Sequence, residues 1–131
     1  MPSLIQSFKI VVRYFYQYVR PKPSYYHRVK SNGLNQGESR SHQLIVSLTS
    51  FPARAKAVSY TRESILSQDV RPDKVVLWLA ASQFPRRERD LPRRLLRLRQ
   101  YGLDIRWTVD VRSFKKLVPT LQAFPEAVIV T

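Results

Sequence analysis

Strand-like and helix-like segments alternate along this chain from Leu44 to Thr131. Apolar runs rich in β-branched residues, together with one strictly alternating segment, predict four strands: 44–49, 75–80, 104–110 and 127–131. Apolar residues at helical spacing predict the three helices between them: 58–68, 91–101 and 113–124. The resulting order, β-α-β-α-β-α-β, is typical of an α/β domain with a parallel sheet and right-handed crossovers.

The composition of each strand predicts its place in the sheet. The first, second and fourth strands are apolar throughout, which is typical of interior strands buried on both faces, whereas the third alternates and should lie nearer an edge. The order 3-2-1-4 meets these requirements and is the first half of a doubly wound, Rossmann-like sheet. Ligands of such sheets bind beyond the carboxyl ends of the strands where the order reverses. We therefore expect a crevice between the first and fourth strands, bounded on one side by Thr49, Ser50 and Phe51.

Local signals predict which residues the helices bury and where they end. Asp90 is placed to N-cap the second helix, and Gly102 is placed to end it in a left-handed conformation. Pro119 should break or kink the third helix. The first helix has four residues at buried spacing: Val58, Thr61, Ile65 and Leu66. The second has a stripe of leucines: Leu91, Leu95 and Leu98.

Several classes of catalytic site are excluded by residues that the chain lacks. It has no cysteine, which rules out disulfides, thiol nucleophiles and thiolate metal sites, and favours a reducing compartment. His27 and His42 are its only histidines, and both lie in a segment with the composition of a linker, so a histidine-based metal site or catalytic triad is nearly excluded. A chain of 131 residues has room for one ordinary domain.

The residues before Leu44 differ in character from the α/β region. Residues 1–20 place apolar side chains on one helical face and basic ones on the other, which predicts an amphipathic helix too short and too charged to cross a bilayer. Such a helix either lies on an anionic membrane surface or docks on another domain, and the pattern favours neither. Residues 21–43 are rich in Pro, Ser and Asn and are predicted to be a linker. The third region, 44–131, is the predicted domain.

The net charge of +14 favours anionic partners such as nucleic acid, anionic lipid or phosphorylated small molecules. Seven arginines fall between Arg86 and Arg99, and we interpret them as a solvated helix face, with a lipid or nucleic-acid patch as the alternative. A small basic nucleic-acid-binding protein is therefore a rival function. The absence of interleaved surface aromatics and of a recognisable nucleic-acid-binding module counts against it.

The turn after the first strand, "TSFPARAK", is a candidate binding site. It has no glycine-rich phosphate loop, which disfavours a classical dinucleotide or P-loop site. It offers instead the hydroxyls of Thr49 and Ser50, the ring of Phe51 and the charge of Arg54, which together suit a nucleoside. The alternative is an ordinary Ser/Pro turn that leads into a helix.

Three charged residues near the third helix are further candidates. Asp110 ends the third strand and is placed either to accept hydrogen bonds from a base or ribose or to cap the next helix. Lys115 and Lys116 are predicted in the first turn of that helix, where the helix dipole disfavours cations. A bound phosphate would account for two lysines there, and two solvated lysines would account for them equally well.

Residues 44–131 are similar, continuously and in order, to a group of bacterial glycosyltransferases with the GT-A fold, close to the family-2 enzymes of polysaccharide and lipopolysaccharide synthesis. The resemblance is carried by "LIVSLTSFPARAKAV", "SILSQDVRPDKVVLWLAASQFP" and "SFKKLVPTLQAFPEAVIVT". It implies transfer of a sugar from a nucleotide-sugar donor to a glycan or lipid-linked acceptor, by a cytoplasmic protein held at the inner face of the membrane if residues 1–20 bind lipid. The resemblance places these residues in the nucleotide-sugar site: Thr49, Ser50, Phe51, Arg54, Asp110, Lys115 and Lys116.

In that family the strand matching "AVIVT" leads into an acidic D-x-D cluster, which binds Mg²⁺ or Mn²⁺ and, through it, the donor diphosphate. This chain ends before such a cluster, so the resemblance assigns it neither metal ligands nor a catalytic base. We therefore expect a fragment that is poorly stable and inactive as a transferase alone. A strand left exposed at 127–131 would favour self-association, or a non-catalytic role completing a sheet with another chain.

Overall fold

Four runs of apolar and β-branched residues form one parallel sheet. The computed structural model describes residues 32–131, apart from the side chains of Arg62 and Glu63. The strands are β1 (Leu44–Ser50), β2 (Lys74–Ala80), β3 (Leu103–Thr108) and β4 (Val128–Val130). They lie in the order β3-β2-β1-β4, and every neighbouring pair is parallel. The predicted α/β class and the order 3-2-1-4 are therefore confirmed.

The crossovers contain short helices. The α-helices are α1 (Ala55–Leu66), α2 (Arg93–Arg97) and α3 (Val118–Ala123). Within residues 32–131, four 3-10 helices accompany them: Pro52–Arg54, Arg87–Asp90, Leu98–Tyr101 and Arg112–Lys116. Pro119 lies in the first turn of α3, where its missing N–H costs no helical hydrogen bond, so the predicted third helix is split into a 3-10 part and an α part. In residues 32–131 no helix has the length and apolar character needed to cross a membrane.

The main core lies between one face of the sheet and the helices α1 and α2. Alternate residues of β2 are fully buried in it and pack with the leucines that the sequence predicted, namely Leu91, Leu95 and Leu98. Of the four residues of α1 predicted to face this core, Leu66 is buried and Val58 and Ile65 pack against it. Thr61 is exposed, because the buried face of α1 passes through Ala55 and Leu66 and Thr61 lies to one side of it. The opposite face has a smaller cluster, formed by Ile45, Val76 and Trp78 beneath Phe124 and Ala127.

β4 is the least buried strand. Val128 is 53% exposed and Val130 is 50% exposed, although the sequence predicted a strand buried on both faces. The interior position is not realised in the described chain, because β4 pairs only with β1 and no other strand in residues 32–131 lies beyond it. The exposure expected for a strand left at this edge is observed. Self-association through residues 127–131 stays a prediction.

The predicted N-cap of α2 is also wrong. The Asp90 carboxylate turns back toward Arg86, accepting a hydrogen bond from its backbone N–H at 2.9 Å and one from its guanidinium at 2.7 Å. α2 begins instead at Arg93 after Pro92, without a side-chain cap. Asp90 therefore stabilises the turn that precedes the helix.

The described part of the predicted linker, residues 32–43, packs on the domain and is called the strap below. The Gly33 N–H donates to the Tyr101 carbonyl at 3.1 Å. The carboxylate of Asp73, which precedes β2, accepts hydrogen bonds from the Asn35 side-chain amide and from the Leu44 N–H, both at 2.7 Å. These bonds tie the strap to the amino ends of β1 and β2. The predicted helix at 1–20 and the rest of the predicted linker lie outside the described residues.

Gly102 permits the tight connection from the helical segment to β3. Its φ of 103° is a left-handed conformation, as predicted, and a Cβ there would lie 2.5 Å from Cγ of Leu34 in the strap. We expect Gly102→Ala to lower the free energy of unfolding by about 1–2 kcal/mol. Urea denaturation measures this, and Gln100→Ala, an exposed change in the same turn, should stay within about 0.5 kcal/mol of the parent. Equal losses in the two variants would contradict this account of Gly102.

Candidate functional site

A cleft opens at the carboxyl edge of the sheet, where the segments that follow β1, β2 and β3 meet. Its volume is about 700 Å³, within the usual range for small-molecule sites. Parallel strands bring their carboxyl ends to one edge, so residues far apart in the sequence become neighbours there. The cleft is lined by Thr49, Ser50, Phe51, Pro52, Arg54, Gln83, Asp110, Arg112, Ser113 and Lys115.

One wall is the turn after β1. The Thr49 hydroxyl donates to the Trp78 carbonyl at 2.8 Å, which ties the end of β1 to β2 and leaves the Thr49 oxygen able to accept. The Phe51 ring is 44% exposed and is therefore available for stacking. Pro52 starts the 3-10 turn that ends at Arg54, which is exposed and has no acidic partner among the described residues.

The opposite wall is a polar network centred on Asp110. Oδ1 of Asp110 accepts hydrogen bonds from Nζ of Lys115 and from the Arg112 N–H, both at 3.0 Å. Oδ2 accepts from the side-chain amide of Gln83 at 2.8 Å. Lys115 is only 4% exposed, so the network holds a buried cation against a partly exposed carboxylate.

This environment fixes the charge of Asp110. The hydrogen bond from Lys115, supported by the Arg112 N–H, holds the pKa of Asp110 below its usual value against the opposing effect of desolvation. Asp110 is therefore a carboxylate at neutral pH. A carboxylate only accepts hydrogen bonds, so a ligand group that meets Asp110 must be an N–H or O–H donor.

Arg112 has an unusual backbone. Its φ is 53°, in the left-handed region that non-glycine residues seldom adopt, and the bond from its N–H to Asp110 helps to hold this conformation. The guanidinium is exposed at the cleft and forms no salt bridge among the described residues, although its charge contributes to the lowered pKa of Asp110. The cleft thus has three cationic side chains, Arg54, Arg112 and Lys115, and one carboxylate.

A buried network beneath the cleft fixes the segment that carries Lys115. The Lys116 carbonyl accepts from the hydroxyls of Ser47 at 2.5 Å and Thr120 at 2.9 Å. Thr120 also accepts from Nε1 of Trp78 at 2.7 Å and is 2.7 Å from the Ser47 hydroxyl. Ser47 and Thr120 are fully buried. The sheet therefore holds the 3-10 helix that precedes α3 at a fixed position.

Six of the seven residues that the sequence predicted for the site line this one cleft, and Lys116 does not. The sequence placed Lys115 and Lys116 in the first turn of the third helix. That prediction is wrong, because both lie in the last turn of a 3-10 helix. Of the two roles considered for Asp110, that of helix cap is not seen, because Val111 is the N-cap of the following 3-10 helix and no side chain caps it. The Asp110 contact with the Arg112 N–H is a local turn contact. The wall opposite Thr49 is the segment after β3, whereas the sequence placed the crevice between the first and fourth strands.

Sequence reasoning missed Gln83 and Arg112. Gln83 follows β2, and the shared carboxyl edge of a parallel sheet was a signal that could have identified it. Arg112 follows Asp110 by two residues, but nothing in the sequence indicates its left-handed backbone. Both residues extend the polar network around Asp110.

The described cleft residues do not fit a divalent metal. Asp110 is the only carboxylate that lines the cleft in residues 32–131, and both of its oxygens accept bonds from protein donors. The same residues hold no group of three or more His, Asp or Glu side chains that could bind a metal. Mg²⁺ or Mn²⁺ remains an expectation from the resemblance.

Comparison with known proteins found no match to this chain among family models, curated proteins or solved structures.

Proposed function

We propose that this chain binds the nucleotide part of a nucleotide-sugar donor and belongs to a glycosyltransferase that acts on a glycan or a lipid-linked acceptor. The observation that carries the proposal is the cleft itself. It combines an exposed aromatic ring, a carboxylate held ionised chiefly by Lys115 and two exposed arginines that form no salt bridge among the described residues. A nucleoside diphosphate has a matching base, hydrogen-bond donors and negative charge.

The uncharged part of the ligand would lie between Phe51 and Asp110. The exposed Phe51 ring offers a stacking surface, a contact worth about 1–3 kcal/mol for a nucleobase. Because the Asp110 carboxylate only accepts hydrogen bonds, it would bind an N–H of the base or a hydroxyl of the ribose. The Gln83 amide beside it fixes the orientation of the carboxylate.

The phosphates would lie against Arg54 and Arg112. Both guanidinium groups are exposed at the cleft and can form paired, charge-assisted hydrogen bonds with phosphate oxygens. Lys115 is already paired with Asp110 and is nearly buried, so we assign it the role of orienting that carboxylate. Lys116 lies outside the cleft lining and is given no ligand contact.

Binding of nucleoside diphosphates to the full chain tests the proposal. Isothermal titration with UDP, GDP and ADP should show binding of at least one of them. Asp110→Asn should weaken that binding by roughly tenfold or more, because hydrogen bonds to a charged acceptor are the stronger ones. The matched control is Asp104→Asn on β3, which also removes an ion-paired carboxylate, 2.8 Å from Arg106, but lies outside the cleft. Absence of binding, or an equal loss in the control, would refute the proposal.

A second pair of variants separates the phosphate contacts from the base contacts. Arg112→Gln should lower the affinity for the diphosphate and leave the affinity for the matching nucleoside unchanged. Arg93→Gln, an equivalent change at an exposed arginine outside the cleft, should alter neither. If Arg112→Gln lowered both affinities equally, the diphosphate would not lie against Arg112.

A further inference from the structure

The two edges of the sheet differ in charge. The segments at the carboxyl edge, 51–54, 81–92 and 109–117, contain seven basic and three acidic residues. The segments at the amino edge, 35–43, 67–73 and 124–127, contain two basic and four acidic residues. The positive charge of these connections is therefore concentrated on the edge where the cleft opens.

Two of the carboxyl-edge segments form one continuous surface. The Ala81 N–H donates to the Thr108 carbonyl at 3.0 Å, and Gln83 donates to Asp110 at 2.8 Å. The Arg87 guanidinium lies 5.0 Å from the centre of the Trp107 ring. These contacts hold the connection after β2 against the end of β3, so the two segments share one side of the sheet edge.

This surface also exposes apolar side chains. Val109, directly after β3, is 73% exposed, and Phe114, in the 3-10 helix Arg112–Lys116, is 63% exposed. Across the surface, Arg89 is exposed and has no acidic partner among the described residues. Exposed apolar groups and an arginine without an acidic partner on one surface are the two components of a surface that binds an anionic bilayer.

We propose that the carboxyl edge of the sheet docks on a membrane containing anionic phospholipid. Val109 and Phe114 lie at the boundary between headgroups and acyl chains, and Arg87 and Arg89 bind lipid phosphates. A nucleic acid would attract the arginines equally well, but it offers no apolar layer for an aliphatic side chain such as Val109. The inference rests on the proposed function in one respect: it places the opening of the donor cleft at the bilayer, where a lipid-linked acceptor would be available.

A matched pair of double variants tests the proposal in the full chain. Arg89→Glu with Val109→Ser alters the carboxyl edge. Arg71→Glu with Val70→Ser makes the same changes in the amino-edge turn before β2, where Val70 is 67% exposed and Arg71 is exposed. Binding is measured by sedimentation with vesicles of equal parts phosphatidylcholine and phosphatidylglycerol. We expect the carboxyl-edge variant to bind about tenfold more weakly than the parent and the amino-edge variant to bind within about twofold of it.

Each other outcome decides against the proposal. Equal losses in the two variants would show a non-specific charge effect, and no loss in either would show that other residues, such as 1–20, carry the binding. If the carboxyl-edge variant lost affinity for single-stranded DNA but not for vesicles, the partner would be nucleic acid. Circular dichroism of every variant shows whether it is folded. Phe114→Ser is a second variant of the carboxyl edge, to be used if the double variant of that edge does not fold. Nucleotide titration without vesicles tests the proposed function separately, since Arg89 and Val109 lie outside the cleft lining.

Discussion

Thr120→Val should lower the free energy of unfolding by about 3 kcal/mol, although it only replaces a hydroxyl with a methyl group of similar size. Thr120 is fully buried, and its oxygen accepts from Nε1 of Trp78 and contacts the Ser47 hydroxyl. Without the Thr120 hydroxyl, the Trp78 N–H has no hydrogen-bond acceptor, and the Ser47 hydroxyl loses one of its two hydrogen-bond partners. Each buried polar group left unsatisfied costs about 1–3 kcal/mol.

Denaturation in urea, followed by circular dichroism, measures this effect. Thr120→Ser keeps the hydroxyl and is the matched control, with an expected loss near 1 kcal/mol for the missing methyl group. Trp78→Phe removes the donor, so the double variant Trp78→Phe with Thr120→Val should lose less than the sum of the single variants. A Thr120→Val protein as stable as the Thr120→Ser protein would show that the network contributes little.

The same substitution should also affect the cleft. Thr120 and Ser47 hold the Lys116 carbonyl, and Lys115, the preceding residue, carries the cation that faces Asp110. Loosening this segment should therefore weaken nucleoside diphosphate binding, even though Thr120 does not line the cleft. The role of Thr120 is to position the segment.

Asp73→Ala should cost about 2–3 kcal/mol at neutral pH, because Asp73 joins the strap to the amino ends of β1 and β2. Its carboxylate accepts from the Leu44 N–H and the Asn35 amide and lies 3.5 Å from the Arg40 guanidinium. Hydrogen bonds to charged groups contribute about 1.5–3 kcal/mol. Asp69→Ala removes the same charge from an exposed position in the same connection and should cost less than about 0.5 kcal/mol.

The effect of Asp73 should depend on pH in a defined direction. The hydrogen bond from Leu44, then that from Asn35, holds the pKa of Asp73 below its usual value. Its charge-dependent stabilisation is therefore fully present above the unfolded-chain pKa of about 3.9 and is lost as the pH falls through the folded-state pKa. The difference between the parent and Asp73→Ala should shrink in the acid range. A difference that stayed constant from neutral to strongly acid pH would contradict this assignment.

Much of the fold could be predicted because burial leaves a direct trace in the sequence. β2 must be apolar at nearly every position because both of its faces are covered, and β3 alternates because Asp104 and Arg106 lie on the less covered face. The apolar pattern of β4 indicates an interior strand, but the pattern carries no record of whether a further strand lies beside it, and none in residues 32–131 does. The strap was missed for a related reason: its polar residues are held by Asp73 and Tyr101, which are distant in the sequence.

The sequence by itself determined the order of the strands, the candidate turn after β1 and the presence of cations and a carboxylate after β3. Only the tertiary structure decided how these charges are used. Lys115 and Lys116 are chemically identical neighbours, yet Lys115 is buried against Asp110 and Lys116 lies outside the cleft lining. The difference arises because the sheet, through Ser47, holds the segment by the Lys116 carbonyl, and the 3-10 geometry then directs the two side chains apart. Hydrophobic pattern is a local property of a chain, whereas the pairing of charges depends on contacts between distant segments.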